Sequence, residues 1–140
     1  MKQVWLIDDD HHILDAMRVM VKMLGYEPRV FSSAREAGQL MMTGDVPDLL
    51  FLDLNMPEVS GMEFLKFVRS RDVWKTIPIL MLTSESSDVS VETAVRLGAD
   101  GYVFKPVNFE ELQIALRTAV EKRRIKTGPL SPPTQPIQRK

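Results

Sequence analysis

The chain has 140 residues, of which 44% are hydrophobic and 26% charged, the composition of a single globular domain rather than of a disordered chain. It contains no cysteine, which excludes disulfides, thiolate metal sites and cysteine nucleophiles. No apolar run reaches the roughly 18 residues of a membrane span, and the N-terminus lacks a signal-peptide pattern, so we expect a cytoplasmic protein without a membrane partner.

The net charge of −1 conceals an asymmetry along the chain. Residues 122–140 carry six basic side chains and no acidic one, which leaves twelve basic and nineteen acidic residues, a net charge of −7, in residues 1–121. Because nucleic-acid binding requires neutralising cations, this acidic body predicts no direct nucleic-acid contact. It favours a cation-binding site or a cationic partner.

Short apolar runs predict five β-strands. In chain order they cover residues 4–7, 26–31, 49–52, 77–82 and 102–104. Runs that are apolar on both faces are typical of buried parallel strands. The second run contains Pro28, which cannot donate a hydrogen bond to a neighbouring strand, so we expect it at an edge of the sheet.

Helical patterns separate these strands. Ser33 and Glu36 predict a capping box at the start of the second helix, and Asn108 predicts a cap for the fifth. Apolar residues at helical spacing predict the other helices over residues 13–24, 62–68 and 91–97. Glycines end the first, second and fourth helices at Gly25, Gly44 and Gly98. The alternation predicts an α/β fold of the (βα)₅ type, with a doubly wound, parallel five-stranded sheet.

The predicted domain covers residues 1–124, and residues 125–140 form a Pro-rich basic tail or linker that we expect to be disordered. Four of the nine prolines lie between residues 129 and 136, where the hydrophobic periodicity disappears. We interpret the basic run at residues 122–126 as the solvated end of the last helix, where cations complement the helix dipole.

Acidic residues at strand ends carry the strongest chemical signal. Asp8, Asp9 and Asp10 follow the first strand, and Asp53 follows the third. In an open parallel sheet, ligands bind beyond the carboxyl ends of the strands, where the strand order reverses. A strand order of 2-1-3-4-5 would bring Asp8, Asp9 and Asp53 together there. Converging carboxylates need raised pKa values or a bound cation, for which Mg²⁺ is well suited. Helix capping and turn formation are the alternative roles.

Two further strand ends add complementary groups. Thr83 and Ser84 end the fourth strand and offer hydroxyls, while Lys105 ends the fifth and offers an ammonium. A cation, an ammonium and a hydroxyl around one nucleophilic carboxylate, Asp53, would form a cradle for a phosphoryl group.

Together these motifs resemble the receiver domain of two-component response regulators, of the chemotaxis-receiver kind. The resemblance extends from about residue 2 to residue 122. It rests on the acidic pair, Asp53-Leu-Asn-Met-Pro57 with Gly61, Thr83-Ser84 and Lys105-Pro106. It implies a flavodoxin-like fold with strand order 2-1-3-4-5. It also implies a phosphoprotein in which Asp53 accepts a phosphoryl group from a sensor histidine kinase or a histidine phosphotransfer protein. Such a domain is not an enzyme, although it assists its own phosphorylation and dephosphorylation.

The resemblance also implies a metal site. Asp9 and Asp53 would ligate Mg²⁺ (or Mn²⁺) directly, Asp8 would act through water, and the backbone carbonyl of Asn55 would complete the protein ligands. A shift of one residue in the alignment would place Asp10 in the site instead of Asp8.

The remaining implied roles concern the signal. Lys105 would pair with the phosphoryl oxygens, Thr83 would hydrogen-bond to one of them, and Tyr102 would act with Thr83 as a switch. The Lys105–Pro106 bond is expected to be cis. An unknown output partner would dock on the face formed by the fourth helix, fifth strand and fifth helix. The polar residues Asn55 and Glu85 suggest a short-lived phosphoryl group.

Two other functions fit parts of the pattern. A phosphohydrolase resembling the haloacid dehalogenase family would use Asp8 and Asp10, although it would leave Asp53 unexplained. A receiver used only as a binding module would not be phosphorylated, although such modules usually lose an acid or the lysine. The chain suits either a single-domain regulator or the receiver of a longer protein.

Overall fold

The structure is a computed structural model that describes residues 2–84 and 88–127. Five parallel strands alternate with five α-helices, and a short 3₁₀ turn, Asp72–Trp74, precedes the fourth strand. The strands are β1 (Gln3–Ile7), β2 (Glu27–Phe31), β3 (Leu49–Asp53), β4 (Ile79–Thr83) and β5 (Gly101–Phe104). The helices are α1 (His11–Met23), α2 (Ala34–Met42), α3 (Gly61–Arg69), α4 (Asp88–Arg96) and α5 (Phe109–Thr127). Among these helices of the described chain, none is both long and apolar enough to cross a membrane.

The sheet has the order β2-β1-β3-β4-β5, which confirms the predicted α/β fold and strand order. Strand β2 lies at one edge, as Pro28 requires, and Pro28 stands opposite Val4 of β1. Strand β4 begins at Ile79, two residues later than expected. The reason is that the Ile77 N–H closes the preceding turn on the Trp74 carbonyl, 3.1 Å away.

Helices cover both faces of the sheet and form two hydrophobic layers. Along β1, Trp5 and Ile7 point into the layer formed with α2, α3 and α4, whereas Val4 and Leu6 point into the layer formed with α1 and α5. All four side chains are fully buried. Two-sided burial explains why the central strands are continuous apolar runs rather than alternating ones.

The helix ends follow the predicted capping pattern. The Ser33 hydroxyl accepts a hydrogen bond from the Glu36 N–H, and the Asn108 side chain accepts one from the Glu111 N–H. Helix α5 extends to Thr127, so the expected domain boundary at residue 124 falls inside a helix. Most of the expected tail, residues 128–140, lies outside the described residues.

Candidate functional site

Three carboxylates meet at the carboxyl ends of β1 and β3, which are neighbours in the sheet. Asp8 and Asp9 follow β1, and Asp53 is the last residue of β3. Each offers one carboxylate oxygen, and these oxygens lie within 4.8 Å of one another. Asp8 and Asp53 are buried while Asp9 is exposed, so the cluster forms the inner wall of a site open to solvent.

Asp10 has a different role. Its carboxylate accepts a hydrogen bond from the His12 N–H at 2.9 Å, which makes it the N-cap of α1. Its own N–H donates to Asp8 Oδ1 at 2.9 Å and thereby fixes that carboxylate. Asp10 therefore has the helix-capping role that was the alternative interpretation of these aspartates. The structure brings Asp8 and Asp9, rather than Asp10, to Asp53. His11 and His12 are exposed on the first turn of α1.

Lys105 reaches the acidic cluster from the end of β5. Its Nζ lies 2.8 Å from Asp8 Oδ2 and 3.2 Å from Asp53 Oδ1. The Lys105 N–H donates to the Thr83 carbonyl at 2.8 Å, which joins the ends of β4 and β5. The Lys105–Pro106 peptide bond is cis, as the resemblance implies.

The buried charges perturb one another. Burial, followed by the charge of Asp8, raises the pKa of Asp53 to about 6, although Lys105 and a hydrogen bond from the Asn55 N–H oppose this change. Burial alone would lower the pKa of Lys105, but its contacts with Asp8 and Asp53 outweigh burial and raise that pKa. One ammonium therefore does not fully compensate the two buried carboxylates that it contacts.

The donor set fits a hard divalent cation. Three carboxylates and one ammonium leave a formal charge of −2, which a divalent cation would neutralise. Within the described chain, one buried side-chain oxygen, Asp8 Oδ2, has no hydrogen bond of good geometry. Lys105 Nζ lies close to this oxygen but off the hydrogen-bonding direction. Carboxylate and carbonyl oxygens are the ligands that Mg²⁺ and Mn²⁺ prefer.

The loop that follows Asp53 shows why the receiver-like motif has a glycine at position 61. A Cβ built on Gly61 would lie 2.1 Å from the Asp53 carbonyl oxygen, so this position requires glycine. The Gly61 N–H donates to the Leu54 carbonyl at 3.0 Å and holds the loop against β3.

Two features of this loop were not anticipated from the sequence. Glu58 has a φ of +67°, a left-handed conformation that is costly for a residue with a Cβ. The capping box that starts α3, between Ser60 and Glu63, was not anticipated from the sequence.

The residues expected to carry the signal lie on β4 and β5. Thr83 is buried at the end of β4, one residue beyond the partner of Asp53, and Ser84 is exposed. Tyr102 is 43% exposed and packs edge-on against Phe104, with ring centroids 5.1 Å apart. Glu85, which was expected to influence the phosphoryl lifetime, lies outside the described residues.

A second charged cluster was not anticipated. The interpretation of the basic run as a solvated helix end is wrong for Arg123, which is buried and donates through Nε to Asp100 Oδ1 at 2.9 Å. The sequence did contain a signal, because Arg123 continues the buried helical series of Leu112, Leu116 and Ala119. This cluster lies at the opposite end of the strands from Asp53, where Asp100 precedes β5.

Comparison with known proteins gives consistent results. A family model described as "Response regulator receiver domain" matches residues 4–117. The transcriptional regulatory protein KdpE of Mycobacterium tuberculosis is 34% identical over 123 residues, covering 87% of this chain and 52% of that protein. The KDP operon transcriptional regulatory protein KdpE of Escherichia coli is 32% identical over 130 residues, covering 92% and 56%. The chain therefore spans about half the length of the curated relatives it matches.

Solved structures agree in fold. The chemotaxis protein CheY4 of Vibrio cholerae is 33% identical, with a TM-score of 0.76 over 85% of this chain and 98% of that one. A CheY-like receiver domain protein from Methanospirillum hungatei is 26% identical, with a TM-score of 0.77 over 91% and 99%.

Proposed function

This chain belongs to the response regulator receiver domain family of two-component signalling, and we propose that Asp53 is the residue that accepts its phosphoryl group. Phosphorylation of an aspartate, by histidine kinases, is the standard function of that family. The observation that carries the assignment is the position of Asp53. It is buried beside Asp8 and Asp9, and one of its oxygens lies 3.2 Å from Lys105 Nζ.

The proposed reaction is an in-line transfer to the Asp53 carboxylate. As a P–O bond to Asp53 forms, the P–N bond of a phosphohistidine on the donor protein breaks, and the released imidazole takes up a proton. A pKa of about 6 without a cation leaves Asp53 mostly ionised at neutral pH, as a nucleophilic carboxylate must be.

The residues around Asp53 fit Mg²⁺ or Mn²⁺, with Asp9, Asp53 and the Asn55 carbonyl as ligands and Asp8 acting through water. When bound, the ion would supply positive charge to the phosphoryl oxygens. Lys105 supplies the protein's own positive charge, because its ammonium already lies between Asp8 and Asp53. The same groups would assist the later attack of water, which returns the domain to its unphosphorylated form.

The signal is proposed to leave through the face formed by α4, β5 and α5. Thr83, which is buried at the end of β4, would move to hydrogen-bond a phosphoryl oxygen. Tyr102 lies on the neighbouring strand and is half exposed, so it can rotate into the space that Thr83 leaves. Val95 and Phe104 are also partly exposed on this face and would form the docking surface of an output partner.

Intact-mass measurement after incubation with acetyl phosphate and Mg²⁺ tests the assignment. We expect the wild-type chain to gain one phosphoryl group, Asp53→Asn to gain none, and Asp9→Ala to be labelled much more slowly. Asp10→Asn serves as the matched control, because it alters the neighbouring helix cap but not the cluster. Loss of labelling in Asp10→Asn, with Asp53→Asn still labelled, would favour the phosphohydrolase-like use of the acids.

A further inference from the structure

Two arginines and one aspartate form a buried cluster at the end of the sheet opposite to Asp53. The Asp100 side chain is fully buried, and those of Arg69 and Arg123 are 11% and 9% exposed. Arg69 donates to Asp100 Oδ2 at 3.0 Å, and Arg123 donates through Nε to Oδ1 at 2.9 Å. The Ile79 N–H also donates to Oδ2, at 2.9 Å, so both carboxylate oxygens are occupied.

The cluster is short of negative charge. Two guanidiniums share a single carboxylate, and burial together with the charge of Arg123 lowers the pKa of Arg69 to about 10, although Asp100 opposes this change. A buried cation that loses its partner is strongly destabilising. The two arginines therefore depend on the same carboxylate for the compensation of their charge.

The cluster ties together elements that are far apart in the chain. The carbonyl of Gly98, two residues after the end of α4, accepts hydrogen bonds from Arg69 Nε and from Arg123 at 2.9 Å each. Arg69 is the last residue of α3, and Arg123 lies four residues before the end of α5. A Cβ on Gly98 would lie 2.8 Å from Arg69 Cγ, so a side chain at that position would obstruct the contact.

We propose that this Arg69–Asp100–Arg123 clamp makes the last two turns of α5 move together with the α4–β5 turn. Asp100 lies immediately before β5 and two residues before Tyr102, so a displacement of β5 acts directly on the carboxylate that holds Arg123. A change on the signalling face would thus reach Thr127, where α5 ends and the chain continues. This inference rests on the proposed function for the origin of the movement, but the mechanical coupling is independent of it.

Hydrogen exchange of backbone amides, measured on the full chain, tests the coupling. Arg123→Gln is the informative variant because it leaves Arg69 and Asp100 as a balanced ion pair, which favours retention of the fold. We expect exchange to become at least tenfold faster in residues 120–127 and also in residues 97–101, with residues 110–116 unchanged. Arg124→Gln is the matched control, since Arg124 is exposed and pairs only with Glu121 among the described residues, and it should change neither segment.

Beryllofluoride with Mg²⁺, a mimic of the phosphoryl group, tests the transmission. In the wild type we expect changes in residues 97–101 and 120–127, and in Arg123→Gln only in residues 97–101. Faster exchange in residues 120–127 of Arg123→Gln with residues 97–101 unaffected would overturn the clamp. A wild-type response that reaches the active site but not residues 120–127 would also overturn the clamp. If residues 8–10 and 53–57 do not respond at all, the assignment of Asp53 fails, and the comparison without beryllofluoride still decides the clamp.

Discussion

Replacing Asp53 with asparagine should stabilise the protein in the absence of a divalent cation. In the folded chain Asp53 is only 4% exposed and lies beside the carboxylate of Asp8, and its pKa rises from 3.8 to about 6. A difference of roughly two pKa units corresponds to about 3 kcal/mol, at about 1.4 kcal/mol for each unit. Ionised Asp53 therefore costs the folded state about that much, and asparagine removes the charge while keeping the shape.

The stability gained by Asp53→Asn should depend on pH. Because the folded state binds the Asp53 proton more tightly than the unfolded state, Asp53 contributes stability at low pH that is lost as the pH rises through about 6. The asparagine variant lacks this loss. We therefore expect Asp53→Asn to exceed the wild type by about 3 kcal/mol near pH 7.5 and by only about 0.5 kcal/mol near pH 4.

Urea denaturation in the presence of a chelator measures this difference at both pH values. Asp15→Asn, an exposed acid on α1, is the matched control and should change the free energy of unfolding by less than about 0.5 kcal/mol at either pH. Equal stability of Asp53→Asn and the wild type near pH 7.5 would mean that Lys105 fully compensates the two carboxylates. The charge imbalance inferred for the site would then be wrong.

Three further changes test other features of the site. Glu58→Gly should raise the free energy of unfolding by about 1 kcal/mol, because glycine adopts a φ of +67° without strain; a loss of stability in urea denaturation would contradict this. Gly61→Ala should lower it by about 3 kcal/mol and slow labelling by acetyl phosphate, since the new Cβ would lie 2.1 Å from the Asp53 carbonyl oxygen. Gly38→Ala, whose Cβ would lie 3.3 Å from an aromatic ring, is the matched control and should change stability by less than about 1 kcal/mol. Mg²⁺ at about 100 times its dissociation constant should raise the free energy of unfolding by about 2.7 kcal/mol, and a similar gain in Asp9→Ala would argue against Asp9 as a ligand.

The convergence of Asp8, Asp9, Asp53 and Lys105 could be predicted because strand ends determine it. Once the apolar runs predict parallel strands and the order 2-1-3-4-5, residues that follow β1, β3 and β5 must lie at one edge of the sheet. The edge position of β2 followed from Pro28 for an equally local reason. The sequence anticipated raised pKa values among converging carboxylates, but it could not assign the rise to Asp53 or give its size, because both depend on burial and on the distance between two carboxylates.

The cluster around Asp100 was missed for a different reason. Arginines are seldom buried, so a run of basic residues at a helix end is normally assigned to solvent. Arg123 is an exception because its partner, Asp100, comes from a turn 23 residues earlier in the chain. Similarly, the left-handed conformation of Glu58 was missed because no glycine at position 58 indicates it.

The most direct test of the central claim is to locate the phosphoryl group chemically. After labelling with acetyl phosphate and Mg²⁺, borohydride reduces an aspartyl phosphate to homoserine, and peptide mass spectrometry identifies the converted residue. We predict homoserine at position 53 and none at positions 8, 9 or 10. Conversion at one of those three aspartates, with position 53 unchanged, would contradict the assignment of Asp53 as the phosphoacceptor.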